Sequence, residues 1–577
     1  MQRLISQYRN YLTRYDSVIA YALLGVVGGL ASGAVIIAFE EAIVYLAALF
    51  GVGDHGDNFE ALPPMWRFIL PAGGALALGI VFYLLKAEDR ETGIVHVLSR
   101  MHSSYGVLPA RNALVQFVAG AFALATGQSG GREGPGVHLG SAVNSLLGQR
   151  LSLPNNSLRM LIACGTAGSI SAAFSTPLAG VIFAMEVIVA EYTVAGFIPV
   201  ILAAVTAAAI KRTFDPSGTA FDMPPLELSS LWEIPYIILL GITCGMAVVA
   251  FIQISKRTAQ LSRYNIILRF SVAGCISGAL ALVVPQVLGV GYDSLNLALA
   301  GQLTLGLLLA LAAAKLVATA ITAGMGIPVG VIGPNLLIGG CLGGAFGMIG
   351  FNLMPAYASD PTLYVVLGMA ATMGAVLNAP LAALLAVIEL TRSIGLSMPA
   401  MLVIVAATLT SGGIFGQRSL HQTILRQLQR LIPDDPLNQL LHRTHVGSIM
   451  DTRVVRVPTV VGAEDRVTLL EFRPQWCLVS KEREDLYLVH GDELLDWLSA
   501  SENEDADITD SGIRRWTMTR VPLQATLRQT LDSINRHTVE AACVFERSRR
   551  SRQPVLHGVV TRENIDRFTL GRLHSEE

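Results

Sequence analysis

The stretch SGGREGPGVHLGS, Ser129 to Ser141, places an ionisable pair, Arg132 and Glu133, between glycines in a region that otherwise lacks charge. Ionised side chains are expensive to bury, and in an apolar segment they mark functional sites. Glycine lets the backbone approach an ion, and Pro135 suits the first turn of a helix. A helix that begins here offers unpaired amide donors and the positive end of its dipole to an anion. The stretch therefore predicts a helix start that can hold an anion, with a carboxylate beside it.

A second segment further along the chain repeats this pattern. GVIGPNLLIG, Gly330 to Gly339, matches GREGPGVHLG, because both read Gly-x-x-Gly-Pro. Downstream, STPLAGVIFAMEV and NAPLAALLAVIEL also match, and each has a glutamate, Glu186 or Glu389, nine residues after its proline. The two pairs are offset by nearly the same distance, which favours an internal duplication over chance. Two halves with Gly- and Pro-broken apolar segments are typical of transporters with an ion site between the repeats.

Glycines can also serve helix packing alone, as the four-residue spacing of Gly25, Gly29 and Gly33 indicates. A single motif would support the packing and ion-site interpretations about equally. The repeated pair of motifs favours the ion site, in which two converging helix starts hold an anion without a full positive charge.

The composition identifies the environment of these motifs. Of 577 residues, 52% are hydrophobic and 15% are charged, and the mean hydropathy is +0.53. Apolar runs such as residues 17–50 exceed the ~20 residues that cross a bilayer. Basic residues before this run and within Lys86–Arg100 predict a cytoplasmic N-terminus and a cytoplasmic loop after the second span. The apolar runs therefore predict a polytopic helical membrane protein. Because no targeting segment is recognised, we expect it in a prokaryotic plasma membrane.

Other chemistry has little support in the sequence. Six scattered cysteines without a Cys-x-x-Cys pair predict neither a disulfide nor a metal site. The sequence contains neither an HExxH nor a Walker A motif, so we expect no enzymatic activity and no cofactor. A regulatory scaffold with a degenerate pore is a further alternative.

The motifs resemble those of the CLC chloride channel and transporter family. GREGP is the most specific, and AAFSTPLAGVIFAMEV and KLVATAITAGMGIPVGVIGPNLLIGG follow in the family's order, so the likeness covers about Tyr21 to Leu425. The resemblance implies an all-α polytopic membrane domain, residues 1–440, whose inverted halves of broken helices span about 17–215 and 230–425. It also implies a homodimer with one anion pathway in each subunit.

The resemblance also assigns a site. Glu133 falls on the family's gating glutamate, whose ionised side chain occupies the outer anion site and leaves it when protonated. The anion-binding residues that it implies are Thr92, Gly93, Ile94, Arg132, Gly134, Val331, Ile332 and His421. Within this set, Arg132 is expected to satisfy buried carbonyls or acids rather than touch the ion.

Three parts of this site depart from the family's pattern. ETGIV, residues 91–95, replaces Gly-Ser-Gly-Ile-Pro, so that Thr92 keeps a hydroxyl donor while the proline is lost. Val331 and Ile332 stand where the family usually has a branched residue and phenylalanine. His421 aligns with the tyrosine that coordinates the central anion, and an imidazole can also donate and can become charged. The alternative is that His421 is only a cytoplasmic residue at a helix end.

The transport mechanism depends on one more acid. The family's proton-coupled members usually carry a second glutamate after the one at Glu186, where this chain has Val187. We therefore predict a chloride channel with a glutamate gate, with a chloride/proton antiporter as the alternative. Glu186 and Glu389 are expected to be structural acids at helix ends. The sequence leaves the preferred anion open.

The composition changes near Pro433, where dense charge and short alternating apolar runs begin. Residues 441–577 resemble a cytoplasmic pair of CBS domains, a small α/β unit that starts at VGSIMDTRVVRVPTV. Asn564 occupies the place at which an acidic residue often holds a ribose, which argues against nucleotide binding. We expect chloride or a similar anion, protons and the lipid bilayer as partners, and no nucleic acid.

Overall fold

The computed structural model describes most of the chain. Left out are residues 1–17, 54–56, 105, 191–193, 216–225, 354, 356–357, 418, 429–439, 442–443, 482–483, 502–504, 547–553 and 574–577. The arginines that predict the N-terminal orientation lie outside the described residues. Contacts divide the chain into a membrane unit, Val18–Arg150 with Leu158–Ile432, and a tail unit that contains Leu151–Ser157 and the described part of Pro433–Glu577. The predicted boundary after residue 440 stays a prediction.

Eight helices are described in the first half of the membrane unit. They are α1 (Val18–Leu49), α2 (Pro64–Leu84), α3 (Gly93–Ser103), α4 (Ala110–Ala125), α5 (Glu133–Arg150), α6 (Asn155–Phe174), α7 (Pro177–Phe183) and α8 (Val194–Phe214). A π-helical turn, Ala184–Val189, continues α7. Proline in the first turn of α2 and α7 has a helical φ and lacks an N–H that the helix could not have paired.

Nine helices are described in the second half. They are α9 (Ile234–Ala259), α10 (Ile266–Val283), α11 (Tyr292–Leu299), α12 (Leu305–Gly324), α13 (Ile332–Leu353), α14 (Pro361–Leu377), α15 (Pro380–Thr391), α16 (Ser397–Thr408) and α17 (Leu420–Gln427). Helices α5 and α13 begin inside the two glycine–proline segments, at Glu133 and Ile332, which are equivalent positions of the repeat.

Left-handed residues mark the same joints in both halves. Ser175 (φ 57°) precedes α7 and Asn378 (φ 56°) precedes α15, while Ala190 (φ 56°) and Arg392 (φ 54°) follow these helices. Residues other than glycine seldom adopt this conformation. Four of them at matching positions indicate that one backbone design is used twice. The predicted fold, an all-α membrane protein of two repeats with broken helices, is confirmed.

The helices differ in how they meet their surroundings. Nine described helices are long and apolar enough to cross a bilayer. Shorter apolar helices lie among them, and α14 is buried along its whole length against α13 and other neighbours. By contrast, α1 and α8 expose large apolar side chains such as Ile19, Leu23 and Val205. An apolar surface of this extent belongs in lipid, as expected of an integral membrane protein.

The tail unit contains two similar α/β repeats. Its elements are β1 (Val454–Pro458), β2 (Val460–Val461), α18 (Ala463–Phe472), β3 (Trp476–Lys481), β4 (Glu484–His490), α19 (Gly491–Ala500), β5 (Ala506–Asp507), β6 (Met518–Pro522), α20 (Leu527–His537), β7 (Ala541–Glu546), β8 (Val555–Thr561) and α21 (Arg562–Leu573). The sheets β1-β3-β4 and β6-β7-β8 each join a parallel pair to an antiparallel pair, with one register shift in the antiparallel pair. This repeat is compatible with the predicted pair of CBS domains.

Asn564, at the predicted ribose position, is engaged within its own helix start. Its Oδ1 accepts hydrogen bonds from the backbone N–H (3.3 Å) and the hydroxyl group of Thr561. The side chain therefore completes a capping box with Thr561 at the start of α21, and a nucleotide that used Asn564 would first have to displace it.

Candidate functional site

The two glycine–proline segments meet each other. Gly131 N donates to Gly330 O at 2.7 Å, and Gly330 N donates to Gly131 O at 2.6 Å. A Cβ atom at Gly330 would lie 2.5 Å from the backbone N of Gly134, so only glycine permits this approach. Equivalent residues of the repeat are thus paired directly, and the starts of α5 and α13 are held together.

Glu133 occupies the junction that this pairing creates. It is the first residue of α5 and is 1% exposed. Its Oε2 accepts a hydrogen bond from Gly333 N in the first turn of α13 at 3.2 Å. The Tyr292 hydroxyl group donates to Oε1. The carboxylate therefore uses donors that could otherwise bind an anion, and an anion can take them only after Glu133 leaves.

Tyr292 is a functional residue that sequence reasoning missed. It begins α11 behind Gly291, whose φ is +90°. Asp57 accepts hydrogen bonds from the amides of Val290 (3.0 Å), Gly291 (2.9 Å) and Tyr292 (3.1 Å). These bonds fix the direction in which the tyrosine ring leaves the backbone. The carboxylate of Asp57 thereby positions the tyrosine whose hydroxyl group donates to Glu133.

Lys315 fixes the same segment from within α12. It is fully buried, and its Nζ donates to Val287 O at 3.0 Å and Gly289 O at 2.7 Å. The sequence does carry a signal for this role, because a single lysine in an apolar helix marks a functional contact. Asp57 gives no such signal, since it lies in a polar loop.

Arg132 is next to Glu133 in the chain, but its guanidinium pairs with a different acid. Its Nη1 is 3.3 Å from Glu40 Oε1, and Lys211 Nζ is 2.7 Å from Glu40 Oε2. The guanidinium also lies 5.1 Å from the centroid of the Tyr292 ring. With Glu40 and Tyr292 it lines a pocket of about 250 Å³, the Tyr292 pocket. This contact matches the expectation that Arg132 satisfies a buried acid, and its assignment to the anion stays a prediction.

The other predicted anion-binding residues converge elsewhere, with one exception. A cavity of about 530 Å³, the Thr92 cavity, is lined by Thr92, Gly93, Ile94, Gly134, Val331 and His421. Ile332 is fully buried and is not among the residues described in this lining. Gly134 lines the Thr92 cavity and Arg132 lines the Tyr292 pocket, so Glu133 lies between two residues that face different spaces.

The donors available in the Thr92 cavity differ from the predicted set. Gly93 N already donates to Gln116 Oε1 at 2.7 Å, and Gln116 Nε2 donates to Pro328 O at 3.2 Å. Gln116 therefore joins the two halves and uses the Gly93 amide, a role that the sequence did not reveal. The Thr92 hydroxyl makes no capping bond to the start of α3. His421 is buried, and its Nδ1 has no hydrogen-bond partner among the described residues.

Glu186 and Glu389 exchange helix caps between the halves. Glu186 accepts hydrogen bonds from Leu381 N (3.4 Å) and Ala382 N (2.9 Å) at the start of α15. Glu389 accepts them from Leu178 N (2.9 Å) and Ala179 N (2.8 Å) at the start of α7. Both carboxylates satisfy amides that no helix can pair internally. This is the structural role that the sequence predicts for the two acids.

Comparison with known proteins places this geometry among anion transporters. Residues 73–412, which include both glycine–proline segments, match the profile of the family described as Voltage gated chloride channel. The chain is 34% identical to the "Putative chloride channel protein ClcB-like" of Ralstonia nicotianae, over 67% of this chain and 92% of the relative. It is 29% identical to the "H(+)/Cl(-) exchange transporter ClcA" of Klebsiella pneumoniae, over 73% of this chain and 91% of the relative.

A solved structure shares the fold. It is that of a slow cyanobacterial Cl−/H+ antiporter, which superposes with a TM-score of 0.60 and 20% sequence identity. The superposition covers 71% of this chain and 97% of the antiporter. At this identity the likeness concerns the backbone alone, so the side chains at the junction must be argued from this chain.

Proposed function

This chain belongs to the CLC family of anion channels and transporters, and on that premise we propose that it exchanges chloride for protons through a gate formed by Glu133. The channel predicted from Val187 gives way to the alternative, which the exchange transporter and antiporter among the similar proteins support. One observation carries the proposal: the Glu133 carboxylate occupies the donors of Gly333 and Tyr292 that an anion needs.

Competition at these donors couples the two ions. The site offers an amide, a hydroxyl group and the positive end of a helix dipole, worth roughly +0.5 charge, so it favours one negative charge at a time. An ionised Glu133 supplies that charge itself and excludes chloride. A protonated Glu133 is neutral and can leave, so that chloride takes the donors. Each exchange of occupant therefore requires that a proton arrive at, or depart from, one carboxylate.

Chloride reaches the junction through the Thr92 cavity in this proposal. Gly134 lines that cavity next to Glu133, and the polar groups of the described lining include His421 Nδ1, the Thr92 hydroxyl and the guanidinium of Arg269. Gly93 lines the cavity but cannot offer its amide to the anion, because that amide donates to Gln116. The homodimer, the prokaryotic plasma membrane and the cytoplasmic tail stay part of the proposal.

Proteoliposomes test the exchange directly. The purified protein is reconstituted in vesicles with high internal chloride, and a chloride electrode and a pH electrode record both ions. The pH is equal on both sides at the start, and valinomycin with potassium clamps the voltage. Exchange then predicts that chloride leaving the vesicles drives protons into them. A channel would release chloride without moving protons. That result would reject exchange and restore the prediction made from Val187.

A further inference from the structure

Two buried histidines face each other beside the gate helix. His96 on α3 is 2% exposed and His138 on α5 is fully buried. His96 Nδ1 lies 2.8 Å from His138 Nε2, and the ring centroids are 5.1 Å apart. Two titratable rings in the membrane unit are expensive, and nothing in the anion route uses them. The described lining of the Thr92 cavity contains neither histidine.

The hydrogen bonds determine where each ring carries its proton. Arg100 Nε donates to His96 Nε2 at 3.2 Å, so this nitrogen is an acceptor. The proton of a neutral His96 is then on Nδ1, from which it is donated to His138 Nε2. The proton of His138 must in turn be on its Nδ1. The three groups therefore form a chain whose hydrogen bonds all point the same way, towards His138.

The far end of this chain has an unsatisfied donor. His138 Nδ1 is buried and finds no partner in the part of the chain that the structure describes. A buried donor without an acceptor costs about 1–3 kcal/mol, so a buried water is the expected partner. His138 lies five residues after Glu133 on α5, which is about 7.5 Å along the helix axis. Because five residues also turn about 140° around the helix beyond one full turn, a chain of several waters would have to connect the two side chains.

The near end reaches an acid that is partly exposed. Glu91 Oε2 lies 3.6 Å from His96 Nε2, and the Glu91 side chain is 30% exposed. Glu91 and Arg100 face the same ring nitrogen with opposite charges. The carboxylate attracts a proton to His96, whereas the guanidinium opposes a lasting charge there. This arrangement suits a ring that passes a proton on rather than one that keeps it.

From this geometry we infer that Glu91, His96 and His138 form a relay that carries protons to and from Glu133. The relay rests on the proposed exchange, for which Val187 offers no titratable group. A proton from Glu91 binds His96 Nε2, and His96 passes its Nδ1 proton to His138 Nε2. His138 then passes its own Nδ1 proton through water to Glu133. One proton enters for each that leaves, and a turn of each ring restores the first tautomer.

Replacing the histidines tests the relay. In the proteoliposome assay, His96→Gln and His138→Gln keep the side-chain size approximately but cannot relay a proton. We expect the number of protons moved per chloride to fall at least tenfold in each variant, while chloride flux persists because Glu133 can still take up and return protons on one side of the membrane. Ser141→Ala is the matched control, because Ser141 is buried on the same helix and bonds Thr166 Oγ1 at 3.0 Å. Its ratio should be that of the original protein.

The outcomes separate the relay from the exchange. If the original protein exchanges ions and the folded histidine variants keep its ratio, the relay is wrong and the exchange stands. If the original protein moves chloride without protons, both are wrong. Should the histidine variants fail to fold, Glu91→Gln replaces a partly exposed side chain and should slow proton movement several-fold. Unchanged proton movement in Glu91→Gln would overturn the relay.

Discussion

The segments Gly131–Pro135 and Gly330–Pro334 have one backbone arrangement and two chemistries. Each pairs with the other, and each starts a helix at the junction. Between the glycines the first segment carries Arg132 and Glu133, whereas the second carries Val331 and Ile332. The first half therefore supplies a charge that can move, and the second supplies the amide that binds it. The backbone of the paired helix starts is thus symmetric, whereas the side chains that it carries are not.

The largest loss of stability should come from breaking the backbone pairing of Gly131 with Gly330. A Cβ at Gly330 would meet backbone atoms of Gly134 at 2.5 Å and Gly131 at 2.9 Å. Neither atom can turn away, so Gly330→Ala should destabilise the protein by more than about 4 kcal/mol or prevent folding. Yield and elution in size-exclusion chromatography measure this. A folded, active Gly330→Ala protein would refute the close pairing.

The same substitution in the other segment gives the contrast. A Cβ at Gly131 would lie 2.3 Å from Glu133 Oε2, a side-chain atom that can move. Gly131→Ala should therefore fold but displace the gate, and it should raise chloride flux at neutral pH. If neither Gly131→Ala nor Gly330→Ala folds, both segments require glycine equally at these positions, and the expected contrast between them is wrong.

Glu133→Gln should have the next largest effect. The amide cannot ionise, so chloride occupies the donors without a proton. Proton movement should fall at least tenfold, and chloride flux should persist with little dependence on pH. Ile332→Val at the equivalent position is the control, because it costs about 0.5–1.5 kcal/mol of stability and leaves proton movement intact. Proton movement in Glu133→Gln equal to that of the original protein would remove Glu133 from the gate.

Tyr292→Phe tests how the second half holds the gate. It removes one hydrogen bond to an ionised group, which contributes about 1.5 kcal/mol, or roughly tenfold in occupancy. In the proposed exchange chloride uses the same hydroxyl group, so at a low pH, where Glu133 is protonated and has left, chloride should bind more weakly. Calorimetry of chloride binding measures the shift. Tyr236→Phe is matched to it, since Tyr236 donates to Phe346 O at 2.8 Å instead, and it should leave chloride affinity unchanged.

Removing the charge of Glu186 or Glu389 should give the smallest changes in stability, and the two changes should be nearly equal. Glu186→Gln and Glu389→Gln each keep an acceptor but lose the charge at a helix start. Each should lower the free energy of unfolding by about 0.5–1 kcal/mol, and thermal unfolding in detergent should show similar shifts for both. A clear difference between the two would mean that the caps are not equivalent and that the repeat symmetry stops short of them.

The sequence was sufficient where a pattern is local or repeated. GREGP and GVIGP predict paired helix starts, and the doubled motif predicts the two halves. Contacts between distant side chains were out of reach. Tyr292 is 159 residues from Glu133, and no local pattern connects them. His138 lies within the opening motif, yet its chemistry depends on His96, 42 residues earlier. The bond between the Gly93 amide and Gln116, which lies on another helix, was equally out of reach.

The crossed caps of Glu186 and Glu389 have a bearing on ancestry. The acid of each half binds the helix start of the other half. Such a reciprocal contact is called isologous, and it is the kind found between identical subunits of a twofold dimer. The pairing of Gly131 with Gly330 has the same symmetry, since each residue meets its own counterpart. Two separate copies of a half-length chain, inserted in opposite directions, would make both contacts unchanged. Once such copies are fused, each can change separately, and here one carries Arg132 and Glu133 where the other carries Val331 and Ile332.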